Sequence, residues 1–502
     1  MIVEKNMDTR LNAARREREL AEARRTVADL LVIGLGATGA GAALDAASRG
    51  LSVVAIDAHD IAFGTSRWSS KLIHGGLRYL ARGQVGVAWE SAVERGRLLR
   101  RIAPHLVAAH PYLLPLTPAV SRAQEAAVLA GYRLGDALRA AAGTPRRLLP
   151  GPSRVPPGRA LALAPALRGD GLRGALVSWD GRVVDDARLV LAIARTAAGH
   201  GARVLTRCRA LAVSGDGAQV RDELTGEEFT LRARAVINAT GVWAGTLVPS
   251  VRLRPSRGTH IVLRPGALGG QAVGLHVPIP GELNRFVVVL PQADGRTYAG
   301  LTDEPVDGPI PDVPEATEGD VAFLLDVLNS VLAEPIGREE VAGAFAGLRP
   351  LLDGAGRTAD LSRRHAVLRS RDGVVTVVGG KLTTYRRMAE EAVDAACPHA
   401  GPSRTARLPL VGAGPVGPGL PRRLVRRYGA EAAAVHALMR DHPELAEPVA
   451  LGITRAELVW AVRSEGALDV ADLLDRRTRI GLVPEDRAAA LPAAEAALAA
   501  AG

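Results

Sequence analysis

Three glycines in the run Gly34-Leu-Gly36-Ala-Thr-Gly39 restrict this chain more than any other feature, because of what stands on either side of them. Asp29 to Ile33 is a short apolar run, Ala40 to Ser48 is small and helix-compatible, and Leu51 to Ile56 is apolar again. The pattern predicts strand, tight turn, helix and strand. In that context the first glycine permits the turn, the second lets backbone approach a pyrophosphate, and the third allows close packing of helix on strand. The helix N-terminus receives the anion. Asp57 ends the second strand, 18 residues after Gly39, where a carboxylate accepts hydrogen bonds from ribose hydroxyls and disfavours a 2′-phosphate. Up to this point NAD and FAD are equally served.

Further elements extend the same pattern. Asp185 to His200 reads as a helix, Ala202 to Leu205 and Ala235 to Ile237 as strands, and Val374 to Val378 as one more buried strand before Gly379-Gly380 and a helix through Ala396. Alternating runs between Arg252 and Asp303, such as Arg285-Phe-Val-Val-Val-Leu, predict a separate antiparallel sheet. The fold class expected is α/β, with a Rossmann-like dinucleotide domain, an antiparallel-sheet substrate domain and a C-terminal helical domain. The boundaries expected are a charged, solvated extension over 1–28, a discontinuous dinucleotide domain over 29–110, 171–245 and 360–400, a substrate-side domain over 111–170 and 246–359, a Pro/Gly linker over 401–421, and helices over 422–502.

Composition removes several classes. With 502 residues and 47% apolar content the chain buries a sizeable core. It has two cysteines, too few for a disulfide framework or a metal site, so no metal is expected and a reducing, cytoplasmic setting fits. No apolar run approaches the ~18 residues of a membrane span, which leaves a soluble protein or one resting on a membrane surface. The net charge of +10 is compatible with anionic lipid, anionic substrate or nucleic acid. With only 3% aromatic residues, stacking platforms for nucleic acid are scarce and none is expected as a partner. All but three of the 63 basic residues are arginine; the lysines are Lys5, Lys71 and Lys381. Lys is a compact point donor where Arg is a planar fork, so a lysine kept in such a chain hints at chemistry that Arg cannot do.

The stretch Gly64-Thr-Ser-Arg-Trp-Ser-Ser-Lys-Leu-Ile-His-Gly-Gly-Leu-Arg-Tyr79 decides between the two dinucleotides. Together with Trp179-Asp-Gly-Arg-Val-Val-Asp-Asp-Ala-Arg-Leu, Asn238-Ala-Thr-Gly241, Gly347-Leu-Arg-Pro-Leu and Gly379-Gly-Lys-Leu-Thr-Thr-Tyr-Arg386, it resembles the FAD-dependent glycerol-3-phosphate dehydrogenases over about residues 29 to 400. Leu35 stands where that family usually has Gly, Asp57 where Glu is usual, and Arg67-Trp68 interrupt the hydroxyl run. The resemblance implies oxidation of sn-glycerol 3-phosphate to dihydroxyacetone phosphate, with electrons passed to a membrane quinone, on a cytoplasmic protein peripheral to the inner face of the membrane. A homodimer is compatible with it.

It further implies that FAD is held by Gly34, Gly36, Gly39, Asp57, Thr65, Ser66, Ser69, Ser70, Lys71, His74, Gly241, Gly380, Leu382 and Thr383. Arg78, Tyr79, Arg285, Arg349, Arg363 and Lys381 would line the substrate pocket, since guanidinium forks suit a phosphate dianion. His260, in Arg257-Gly-Thr-His, is the candidate base for the C2 hydroxyl, with Arg349 and Lys381 beside it in the reaction, and Thr302-Asp303 is a further pocket candidate. An oxidase delivering electrons to oxygen shares these motifs. An amine oxidase suits the Arg-rich pocket less well, and an RNA-modifying flavoprotein rests on charge alone.

Overall fold

A computed structural model describes residues 7–76, 83–282, 285–353 and 364–500. Its centre is a six-stranded sheet in the order Ala366–Arg369, Val375–Val378, Val236–Asn238, Leu30–Ile33, Val53–Ile56, Arg203–Leu205. Every neighbouring pair is parallel except the edge strand Ala366–Arg369. The four residues of Leu30–Ile33 are all buried, as a strand covered on both faces requires. Helices Ala37–Ser48, Asp186–Gly199 and Tyr385–Ala396 pack together and share one apolar core with the sheet. The carboxyl ends of the central strands, where such sheets bind ligands, therefore open toward Gly34, Asp57 and Ala239.

The second sheet has ten strands. Ser256–Leu263 lies between Thr297–Gly300 and Val341–Arg349, and the sheet continues through Phe286–Pro291 and Gly274–Pro278. It is mixed rather than purely antiparallel, because Gly274–Pro278 runs parallel to Val107–Pro115. Both Val107–Pro115 and Ala175–Val183 belong to it, paired over nine residues from Val107↔Val183 to Pro115↔Ala175. This corrects the expected boundaries at 110 and 171: both strands hydrogen-bond away from the dinucleotide sheet, and their sequences do not reveal which sheet they join. A third, four-stranded sheet is formed by Val27–Ala28, Cys208–Ser214, Gly217–Asp222 and Glu228–Ala233.

Two segments expected to be solvated or linking are packed. In the N-terminal helix Ala13–Arg25, Arg16 is buried, donating to Asp222 Oδ1 at 2.6 Å and to Thr206 O at 2.7 Å. Its charges face protein carboxylates as well as water, which charge density alone does not distinguish. Within 401–421, Thr405 is buried and donates to Asp45, while Leu410 N donates to Ile102 O. The C-terminal unit, from Arg422–Tyr428 to Pro484–Ala499, is helical and has its own apolar cluster around Leu458, Leu473 and Ile480.

Candidate active site

A cavity of about 1350 Å³ runs from the glycine turn to the ten-stranded sheet. That is larger than a typical pocket for one small ligand and has room for a dinucleotide with a small substrate beside it.

At the turn end, Gly34 has φ +100, and a Cβ there would stand 2.6 Å from Ala239 O. Gly39 does not line the cavity; its own Cβ would fall 1.7 Å from Gly34 O, so it sets how closely the helix approaches the strand. Gly36 borders the cavity, and Ala37 N, in the first turn of the helix, donates to Ser66 Oγ at 2.9 Å. Asp57 accepts from Leu35 N at 2.7 Å and His59 N at 2.9 Å while facing the cavity. Burial pushes its carboxyl up to about 6, against those two bonds.

The loop Gly64–Lys71 forms the next wall, and its hydroxyls chiefly fix the loop itself. Thr65 Oγ1 donates to Leu348 O at 2.6 Å, Ser69 Oγ to Asp186 Oδ2 at 2.8 Å, and Ser70 Oγ pairs with His260 Nε2 at 2.9 Å. Thr65, Ser66, Ser69 and Ser70 all border the cavity. Lys71 does not. Its ammonium is buried, donating to Asp186 Oδ2 at 2.8 Å, Arg67 O at 3.2 Å and Ser69 O at 3.1 Å. The expectation that Lys71 touches the cofactor is corrected on this ground: a buried ammonium satisfies its donors on the nearest carboxylate and carbonyls. Asp186, which lies inside the Trp179–Leu189 motif but has no role assigned there, is the hub of this wall. It is the second acid in Val184-Asp-Asp-Ala, where the first, Asp185, caps the helix by accepting from Ala187 N.

The opposite wall is the strand-to-helix turn at Gly379-Gly380. Both glycines have positive φ, and a Cβ on Gly380 would stand 2.3 Å from Met388 Sδ. Leu382–Thr384 forms a 3₁₀ turn leading into helix Tyr385–Ala396, so an N-terminal helix end borders the cavity through Gly380, Leu382 and Thr383. Thr383 Oγ1 accepts from His74 N at 3.2 Å, joining this turn to the strand after the hydroxyl loop. His74 and Gly241 line the cavity too; the position of a Cβ on Gly241 is open space.

At the sheet end the cavity meets His260, Arg285 and Arg349, and Lys381 lines it from the Gly379-Gly380 turn. His260 is buried, stacked on Phe345 with centroids 4.8 Å apart, and pushed down to about 3 by burial and then by the charges of Lys71 and Arg349. It is therefore neutral at pH 7. Arg349 donates to Ser256 Oγ at 3.0 Å, Thr302 O at 3.1 Å and Asp303 Oδ1 at 3.3 Å, which ties the Thr302-Asp303 turn to the site. Arg285 donates to Glu282 at 2.7 Å and Lys381 Nζ to Ser91 Oγ at 2.7 Å. Arg78, Tyr79 and Arg363 lie outside the described residues. Helix Arg122–Ala141, which carries no functional signal in its sequence, forms a further wall through Gln124, Val128 and Tyr132. Among the described residues no three His, Cys, Asp or Glu side chains gather as a metal site.

The residues present suit a flavin dinucleotide. A glycine turn closed to a Cβ at Gly34 and Gly39, a helix N-terminus for pyrophosphate, a carboxylate at the strand end and a second helix end across the cavity define an FAD-dependent oxidoreductase. Residues 29–386 match the family described as FAD dependent oxidoreductase, and residues 403–501 match the C-terminal domain of alpha-glycerophosphate oxidase. The chain is 56% identical over 497 residues to glycerol-3-phosphate dehydrogenase 1 of Mycobacterium tuberculosis, covering 95% of this chain and 96% of that one. It is 36% identical over 507 residues to the mitochondrial glycerol-3-phosphate dehydrogenase of Bos taurus, covering 91% and 68%. The crystal structure of glycerol-3-phosphate dehydrogenase from Bacillus halodurans complexed with FAD matches with a TM-score of 0.75 at 27% identity, over 97% of this chain and 94% of that one. This chain belongs to the family of FAD-dependent glycerol-3-phosphate dehydrogenases.

Proposed function

We propose that the protein oxidises sn-glycerol 3-phosphate at C2 to dihydroxyacetone phosphate and passes the electrons to a membrane quinone. The observation that carries this reading is that three cationic side chains, Arg285, Arg349 and Lys381, line the same cavity as a neutral histidine, His260. Planar guanidiniums and a point ammonium suit a phosphate dianion. FAD, when bound along the glycine turn and the Gly380–Thr383 turn, supplies the two-electron acceptor for the hydride leaving C2. The chain's own part is to hold the phosphate with Arg349, Arg285 and Lys381, and to take the C2 hydroxyl proton on His260. The substrate's negative charge opposes the cations that hold His260 down, so binding raises its basicity when a proton must be accepted. Ser70, paired with the His260 ring, orients it.

A surface for the quinone's membrane lies on the helix pair Val85–Arg97 and Arg122–Ala141, where Val85, Trp89 and Leu134 are exposed and Arg97, Arg100 and Arg101 follow. An exposed indole with exposed arginines further along the same helical stretch suits a bilayer interface. Among the described residues no helix is long and apolar enough to cross a membrane. Cys208 and Cys397 are both free thiols, which suits the reducing cytoplasmic side.

Anaerobic mixing of purified holoprotein with sn-glycerol 3-phosphate tests the reaction: the visible flavin bands bleach, and turnover follows with a quinone but not with NAD. Unchanged bands overturn the substrate. Stoichiometric peroxide without any quinone requirement overturns the acceptor and makes the protein an oxidase.

A further inference from the structure

The loop Gly64–Lys71 has two faces. One borders the cavity; the other is held by a residue more than 400 positions away. Arg479 belongs to the C-terminal helical unit, is only 4% exposed, and has its own backbone in the left-handed region at φ 64. Its Nη2 donates to Arg67 O at 2.7 Å, Nη1 donates to Asp475 O at 2.9 Å, and the guanidinium lies over Trp68, 5.1 Å from the ring centroid. Arg67 O is also an acceptor for Lys71 Nζ. From that carbonyl the chain of contacts runs through Lys71 to Asp186, and from Asp186 to Ser69 N and Oγ on the cavity wall. Arg476 and Arg477, just before Arg479, grip Asp60 at 2.6 Å. Arg479 itself does not border the cavity.

We infer that Arg479 is a positioning residue for flavin, through which the C-terminal unit sets both the shape of the hydroxyl loop and the charge held behind it. A charged donor on a buried carbonyl is among the stronger hydrogen bonds, and this one ends at the segment whose other face meets the cofactor. Arg479 does a second thing. Lys71 is faced by Asp186 and Asp185 from one helix, by His260 and Tyr298 from the sheet, and by Arg479 from the C-terminal unit. Burial and the Arg479 charge push Lys71 down to about 8, while Asp186 pulls the other way. The ion pair behind the loop thus dissolves above about pH 8, a point set first by burial and then moved up by Asp186 and down by Arg479. The inference rests on reading the cavity as the flavin site, and its readout uses no substrate.

The test is the flavin dissociation constant of the full-length protein, measured against pH by fluorescence for Arg479→Met, Arg479→Gln and Arg479→Lys. Arg479→Met binds flavin about tenfold more weakly near pH 7, the worth of one charged hydrogen bond. Its alkaline fall-off moves to higher pH, because a cation that lowered Lys71 is gone. Arg479→Lys restores the wild-type fall-off and Arg479→Gln does not. Arg455→Ala, which removes an exposed ion pair to Glu447 in the same unit, changes neither quantity. An unshifted fall-off in Arg479→Met, or the same weakening in Arg455→Ala, overturns the assignment. If Arg479→Met does not fold, identical fall-offs in the Gln and Lys variants overturn it equally.

Discussion

Two loops wall the flavin end of the cavity, and they are held in opposite ways. The glycine turn Gly34–Gly39 is shaped by its own backbone: the positive φ of Gly34, and the Gly34–Gly39 approach that leaves no volume for a Cβ. The hydroxyl loop Gly64–Lys71 is held by Leu348, Asp186, His260 and Arg479, every one of them more than 100 residues away in sequence. The first loop is a local steric solution and transfers as a motif. The second exists only when three other parts of the molecule are in place, so damage far from the cavity reaches it.

The largest effect expected from breaking this contrast is at the local loop. Gly39→Val places atoms inside the contact radius of Gly34 O, backbone that cannot step aside. The protein is expected to purify without measurable flavin, read as the ratio of visible flavin absorbance to protein absorbance; a normal ratio would show that the turn is not steric. Asp186→Asn strikes the other loop by leaving Lys71 buried without its anion. Breaking one partner of a buried pair costs about 3–5 kcal/mol, to be read from denaturant unfolding of the holoprotein with parallel loss of flavin. A loss below about 1 kcal/mol would mean that the loop does not depend on this hub.

The contrast can also be sharpened by pH. Asp57 belongs to the local side, and its carboxyl is raised to about 6 by burial. Above that pH it is an anion that accepts strongly from ribose hydroxyls; below it, protonation removes the charge and turns one of its two oxygens into a donor. Flavin affinity at pH 5 is therefore expected to be about tenfold lower than at pH 7, and Asp57→Asn should flatten the profile. A smaller change is expected at a hydrogen bond between the loops, where Ser66 Oγ accepts from Ala37 N in the first turn of the helix. Ser66→Ala removes that acceptor and should cost about 1 kcal/mol in thermal unfolding, with flavin affinity falling several-fold.

The same division separates the features that are legible in the sequence from those that are not. The central strands, the turn, Asp57 and the Gly379-Gly380 turn are legible because each is a short-range event: apolar runs with fixed period, a φ that only glycine adopts easily, a helix end two residues on. The arginines at the sheet end are nominated by motif, yet Arg349 reaches the cavity only because Val341–Arg349 lies beside Ser256–Leu263, a register that no segment states by itself. Asp186 falls within the Trp179–Leu189 motif, but its part in bracing the loop is not legible, and Arg479 is not legible at all. An acid pair before a helix reads as a cap, and one arginine among so many reads as solvated surface. The strands Val107–Pro115 and Ala175–Val183 are misplaced by sequence for a related reason: buried strands of either sheet have the same composition, and only pairing tells them apart.

Taken alone, the sequence determined that this chain builds a glycine-punctuated dinucleotide turn, ends a strand in a carboxylate, and carries the family motifs of a flavin-dependent dehydrogenase. Only the tertiary structure decided which hydroxyls hold the loop together, that Lys71 lies behind the wall rather than on it, and that the N-terminal and C-terminal helices brace the cofactor domain. Backbone sterics act over a few residues and are written in the sequence order. Buried charges find partners by proximity after folding, and sequence order does not record it.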